Sequence, residues 1–341
     1  MKKALTAGLA SFVRYSGLAA PIRRRLGGCG VILCLHEIQD DPASELMTGS
    51  RPSFLADIVQ TLRHEGWEFV SMDEALHRLG KETTTTPFAV LTFDDGYRDN
   101  LTRAFPVLDR LQAPFTIYVP TGAVTRELDA WWLALRALLL SHDEIEIACM
   151  GERFACPRLA DKIAAANAVS LWVARDRRRA RDLAPTFAAY GLSAEALADA
   201  YFLGERELRE LARQPLVTIG AHTTSHAALP VLDADEARAE MADNKAYLEH
   251  LLERDVLHFA YPYGIAGAVR RGREAMLARE VGFATAVTTE PRPIFPEHRS
   301  TPHALPRISV RPDDTMGTLY YRACGIDWAL KARNRRRRST G

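Results

Sequence analysis

With 341 residues, the chain has room for one large α/β domain carrying an insertion, or for two smaller domains. Its 47% hydrophobic and 26% charged residues are ordinary for a soluble globular protein, and a net charge of +1 gives no bulk attraction to nucleic acid or to an acidic partner. Cys29, Cys34, Cys149, Cys156 and Cys324 are scattered and form no C-x-x-C pair, which argues against a zinc knuckle, a redox motif and a disulfide framework.

Met1-Lys2-Lys3 imitates the start of a signal peptide, but Arg14 interrupts the apolar stretch and Arg23-Arg24-Arg25 follows. Residues 4–26 are therefore expected to form a basic amphipathic helix within a segment 1–29. It either packs on the domain or rests on an anionic membrane surface. No run of about 20 apolar residues occurs, so no spanning helix is expected.

Short apolar runs then alternate with helical stretches. Val31–His36, Glu68–Val70, Phe88–Phe93 and Phe115–Val119 read as strands, and Pro52–Glu65, Asp73–Leu79 and Leu101–Leu111 read as helices. Thr83–Thr86 with Pro87 reads as a loop. From 130 to 213 the rhythm breaks. This stretch looks helical throughout, opens with Trp131-Trp132-Leu133 and contains the basic segment Arg175–Arg181, so it is an insertion or cap. Its two tryptophans could stack on sugar rings in a groove, but at helical spacing beside Leu133 and Leu135 core packing is the leading expectation. Strands resume at Leu216–Gly220, His258–Tyr261, Phe283–Val287 and Ile308–Val310, with a long helix over Ala234–Glu253. The basic tail 326–341 is expected to be disordered. Such alternation implies parallel strands, hence a barrel or a doubly wound sheet.

Three motifs fall at strand ends. Asp94-Asp95-Gly96 closes the third strand, His222 and His226 follow Leu216–Gly220, and Tyr261-Pro262-Tyr263-Gly264 closes the next strand. In a parallel α/β fold these ends share one rim, where active sites lie. Two imidazoles four residues apart can face one point, and one carboxylate completes three ligands with a position left open for water. Adjacent aspartates at a strand end point to opposite sides. One can ligate while the other takes a proton from the water. Gly96 lets the backbone turn tightly out of the strand.

These residues resemble the polysaccharide deacetylase family, also called the NodB-homology or carbohydrate esterase 4 family. Thr92-Phe93-Asp94-Asp95-Gly96 matches its motif T-F-D-D-G, and His222-Thr223-Thr224-Ser225-His226 matches H-[ST]-x-x-H. Phe259–Gly264 resembles R-x-P-Y in part. The resemblance covers roughly residues 30 to 310. It implies a distorted (β/α)7-type barrel, formed by residues 30–129 and 214–325 around the helical insertion 130–213. It implies Asp94 as general base, Asp95, His222 and His226 as ligands of a divalent metal, most commonly Zn2+, and the Tyr97 N–H as an oxyanion donor. Pro262 and Tyr263 would shape the groove wall.

Two departures stand out. The arginine of the third motif is Ala260 here, and Arg307, just before the last strand, is the candidate to supply that guanidinium from elsewhere. The family's late histidine motif, the general acid, is absent in standard form, leaving His303 and His298 as candidates. His36, at the end of the first strand, is expected in substrate binding or beside the site. The expected function is metal-dependent removal of N-acetyl or O-acetyl groups from a saccharide or glycan precursor, lipid- or nucleotide-linked. The expected location is the cytoplasm, with peripheral contact at the inner membrane face. Hydrolysis of a non-sugar amide, and a non-catalytic glycan-binding role of the same fold, are the alternatives.

Overall fold

Strands with apolar side chains on both faces need cover on both faces, and only a sheet enclosed by helices provides it. The computed structural model of the chain has that arrangement. It describes residues 19–40, 46, 49–81, 86–176, 179–264 and 272–339. Residues 4–18 of the expected helix 4–26, and residues 83–85 of the expected loop, lie outside the described residues; Ala19–Leu26 is helical.

The strands, in chain order, are β1 (Gly30–Leu35), β2 (Glu68–Phe69), β3 (Phe88–Phe93), β4 (Phe115–Val119), β5 (Glu144–Ile147), β6 (Glu152–Ala155), β7 (Val217–Ala221), β8 (His258–Ala260), β9 (Thr285–Val287) and β10 (Ile308–Ser309). Seven of them pair in parallel in the order β10-β1-β3-β4-β7-β8-β9, and β2 pairs with the start of β3. A parallel bridge from Val287 to Leu305 links the end of β9 to the approach of β10, so the sheet curls back on itself. This is the distorted (β/α)7-type barrel that the alternation and the motifs led one to expect.

Helices on the outside bury one stripe each. In Pro52–His64, Leu55, Ile58, Val59 and Leu62 recur at helical spacing and are all buried. Helix Met72–Leu79 begins at Ser71, whose hydroxyl accepts the Glu74 N–H at 3.2 Å.

Two expectations need correction. The insertion is not helical throughout, because β5 and β6 form an antiparallel hairpin inside it. Glu144-Ile145-Glu146-Ile147 alternates exposed and buried side chains, and Gly151 turns the chain at φ 68°. The insertion has a core of its own, in which Leu138 and Leu139 pack with Ile145, Ile147, Val169 and Phe187. The tail is not disordered either: Ile326–Ser339 is a helix. Its Ala, Leu, Lys and Arg are strong helix formers, and Ile326 anchors it in the main core.

Candidate active site

The rim is assembled by register. β1 and β3 pair from Gly30–Phe88 to Leu35–Phe93, and the Asp94 N–H continues the ladder by donating to the Leu35 carbonyl at 3.0 Å. β4 and β7 end together at Val119–Ala221, and β8 and β9 at Ala260–Val287. Asp94, His222 and Tyr261 thus leave the sheet at one level. Four of the seven non-glycine residues with positive φ among the described residues lie here: Asp95 (72°), Thr223 (63°), His226 (54°) and Tyr263 (63°). Such conformations cost about 1–3 kcal/mol each and persist only where neighbours enforce them. At Asp95 and Gly96, two successive left-handed residues swing the chain out of β3, which separates the two carboxylates.

Asp94 is held by Arg307. Nη1 donates to Oδ1 at 2.6 Å and Nη2 to Oδ2 at 2.7 Å, a bidentate pair buried on both sides. Arg307 is itself fixed by bonds to the Thr92 hydroxyl (3.1 Å) and the Thr288 carbonyl (3.0 Å), and lies over the Tyr118 ring. Gly220 makes room for that ring, since a Cβ there would sit 2.5 Å from it. Burial alone would raise the Asp94 pKa. The charge and hydrogen bonds of Arg307 outweigh it, and the carboxyl sits below the usual range. The Cys34 thiol, which burial keeps protonated, donates to Oδ2 at 3.6 Å. Arg307 therefore brings a guanidinium to Asp94 from the approach to β10, while Ala260 at the end of β8 offers none.

Asp95 faces the two imidazoles. Its Oδ1 lies 3.5 Å from His222 Nε2 and 3.2 Å from His226 Nε2. The three offer ligand atoms within 4.8 Å of one another, all buried. Burial opposes ionisation of Asp95, but hydrogen bonding to both histidines overrides it and holds the carboxyl well below its ordinary range.

The chemistry of this donor set fits a divalent cation. His222 Nδ1 lies 2.7 Å from the Ala260 carbonyl, a contact only a protonated nitrogen can make. With Nδ1–H so committed, Nε2 can donate to Asp95 only in a doubly protonated ring. In the neutral ring it presents a lone pair to the carboxylate oxygen, and a cation can take the place of that second proton. A ligating histidine anchored through its other nitrogen is the usual arrangement around a bound metal.

The site opens into a cavity of about 810 Å3 lined by His36, Asp94, Asp95, Tyr97, His222, His226 and Tyr263 from the barrel. The insertion supplies the facing wall, with Trp131 and Trp132 from helix Trp131–Ser141 and Leu171 from helix Leu159–Arg175. Trp131 is buried in the insertion's core, as expected, and Trp132 packs partly buried against it, but the rest of Trp132 faces the site rather than the core. The Trp132 ring packs against His226 at 5.3 Å, and its Nε1 donates to the Tyr97 hydroxyl at 2.9 Å. Tyr263 covers His226 from another side at 4.8 Å, while the adjoining Pro262 is buried and does not line the cavity.

A buried ion pair fixes the insertion to the rim. Arg136 Nη1 and Nη2 donate to the two Glu37 carboxylate oxygens at 2.6 and 2.9 Å. Sequence reasoning missed this pair because nothing in the spacing of Glu37 and Arg136 links them. Glu37, directly after His36 at a strand end, was the available hint.

The structure removes both expected general acids from the site. His303 Nε2 lies 2.7 Å from the carbonyl of Phe283, which precedes β9, so His303 is at the opposite end of the barrel. His298 is buried against Phe295, in a segment that packs beside the start of β1. Both follow β9 on the return to β10, and the chain passes the far end of the sheet before rising to Arg307.

The comparisons with known proteins agree with this geometry. The family model described as polysaccharide deacetylase matches residues 81–171 and 172–281, more than half of the chain. The chain therefore belongs to the polysaccharide deacetylase family. Over 95 residues it is 35% identical to the poly-beta-1,6-N-acetyl-D-glucosamine N-deacetylase of Escherichia coli (strain K12), a stretch covering 27% of this chain and 14% of that protein. Among solved structures, IcaB from Ammonifex degensii superimposes with a TM-score of 0.57 at 20% identity, over 88% of this chain and 98% of that one. The deacetylase PplD of Streptococcus pyogenes, in complex with acetate, superimposes with a TM-score of 0.56 at 20% identity, over 85% and 95%. These two likenesses bear on the fold.

Proposed function

We propose that the protein is a metal-dependent deacetylase that removes N-acetyl groups from an amino-sugar glycan or glycan precursor. The observation that carries this reading is the division of labour between two adjacent carboxylates. Asp94 is paired with Arg307, and Asp95 is turned towards His222 and His226, at the mouth of one cavity.

Asp95, His222 and His226 would hold the metal, and two imidazoles with one carboxylate suit Zn2+. A cation there would lower the pKa of water and polarise the acetyl carbonyl. Asp94 takes the proton of the attacking water. Arg307 keeps that carboxylate ionised and aimed, since both its oxygens are bound in a fixed plane. The Tyr97 N–H stabilises the oxyanion. Among the histidines that line the cavity, His36 stands outside the metal trio, with a ring nitrogen within 4.8 Å of an Asp94 oxygen. It is the group placed to protonate the leaving amine. Trp131, Trp132 and Tyr263 offer flat apolar faces to a sugar ring.

The name of the Escherichia coli relative supports an N-acetylglucosamine polymer or its precursor as substrate. A lipid- or nucleotide-linked form, and work at the inner membrane face, extend the same reading. The basic helix Ala19–Leu26, packed against helix Ile326–Ser339, supports contact with anionic lipid. The test is acetate release from a panel of N-acetylated oligosaccharides and linked precursors, after chelation and with Zn2+ restored. Zinc-restored release on one member supports the reading. No release from any member by zinc-loaded protein contradicts it.

A further inference from the structure

The two metal-binding histidines belong to a segment that does not hold its own shape. Thr223 and His226 have positive φ, a region uncommon outside glycine and a clear outlier for the β-branched Thr223. Something outside His222–His226 must enforce the backbone. The long helix Ala234–Leu252 follows the segment and packs on β7.

Two residues one turn apart on that helix bind four of the segment's backbone groups. Asn244 is fully buried. Its Oδ1 accepts the His222 N–H at 2.9 Å, and its Nδ2 donates to the Thr223 carbonyl at 2.7 Å and to the Val119 carbonyl at 3.1 Å. Glu240 takes the other half. Its carboxylate accepts the Ser225 N–H at 2.9 Å and the Ser225 hydroxyl at 2.6 Å, and its backbone carbonyl accepts the Thr224 N–H at 3.1 Å. The segment closes onto the short helix Thr121–Thr125 after β4 as well, where the Gly122 N–H donates to the Thr224 carbonyl at 2.8 Å. Spacing of i, i+4 puts Glu240 and Asn244 on one helix face, so they act as two jaws along the segment between the two imidazoles.

We infer that Glu240 and Asn244 are positioning residues that set the separation and aim of His222 and His226. They form a helical clamp whose function is metal affinity rather than fold stability. The inference rests on the metal reading of Asp95, His222 and His226. Asn244 fixes the His222 end, where the ring is already tethered to Ala260. Glu240 fixes the backbone immediately before His226. Losing either jaw lets the strained residues relax towards negative φ, which would turn one imidazole away from the other. Neither residue touches the cavity, so neither is a catalytic residue.

The test is Zn2+ affinity of the full chain after chelation, by competition with a chromogenic chelator, below the melting temperature. Asn244→Ala and Glu240→Ala are each expected to weaken zinc binding about 10- to 100-fold, the range for groups that orient metal ligands. Glu240→Gln keeps an acceptor for Ser225 and is expected to recover most of that loss. Leu248→Ala, in the core one turn beyond Asn244, is the structural control. It should lower the melting temperature and leave zinc affinity unchanged. Glu240 is half-buried, so its variants report even where Asn244→Ala fails to fold. Wild-type affinity in both alanine variants, or an equal loss in Leu248→Ala, overturns the clamp alone. A wild-type protein that binds no zinc overturns the clamp together with the metal reading beneath it.

Discussion

The barrel has histidines at both ends, and the two sets behave differently. At the rim where the strands finish, His36, His222 and His226 line a cavity beside two carboxylates. Towards the end where the strands begin, the histidine nitrogens meet partners supplied by the fold. His258 bridges the Thr285 hydroxyl (2.9 Å) and Asp73 (3.1 Å), and His303 meets the Phe283 carbonyl. A histidine becomes chemically available when strand direction brings it to the finishing rim. Residue type and distance along the chain do not decide it, and this is why His303, four residues before Arg307, is remote from the site while Arg307 is central to it.

Substitutions at the two ends should separate accordingly. His222→Ala should abolish both metal binding and acetate release, because on the proposed reading it removes one of three ligands. Metal content by atomic spectroscopy together with an acetate assay checks this, and retained metal would break the comparison at its strongest point. His36→Gln should keep the metal but lower kcat by about 10²–10⁴-fold, the usual contribution of a general acid. A change confined to KM would make His36 a binding residue instead.

Arg307→Met leaves Asp94 buried without its partner, and loss of about 3–5 kcal/mol of stability is expected in chemical denaturation. Its pH dependence is also specific. The folded-state pKa of Asp94 lies below its ordinary value, so the carboxylate contributes stability above that ordinary value and loses it as the pH falls through the lower one. Without Arg307, burial loses its main opponent and the pKa rises. Asp94 then opposes folding as the pH is raised above the ordinary value, and the acid limb of activity moves to higher pH. An unshifted acid limb would separate Arg307 from the base. The smallest effect belongs to the far end. His303→Gln should cost about 1 kcal/mol, one buried hydrogen bond, with turnover unchanged. A large fall in turnover would bring His303 back into the chemistry.

Much of the rim was legible in the sequence because its signals are local. Asp94-Asp95-Gly96 and His222-x-x-x-His226 each sit within a few residues of a strand end, and parallel strands carry such ends to one place. Arg307 was legible for a different reason: an arginine was missing at Ala260, and few arginines precede a strand. What was not legible depends on long-range packing. The wall made by Trp131 and Trp132 and the Glu37–Arg136 pair arise when the insertion folds back over the rim, which no local pattern encodes. The apolar spacing around Trp131 read as core, and it does build one, but the helix end it occupies also faces the cavity. The β5–β6 hairpin was a missed period-two signal, too short to stand out between helices.

The central claim is that adjacent aspartates have separate jobs, and Asp94→Asn tests it most directly. The account predicts zinc bound in the wild-type amount and acetate release reduced by about 10²–10⁴-fold. Zinc lost with activity, or activity kept with zinc, would contradict it.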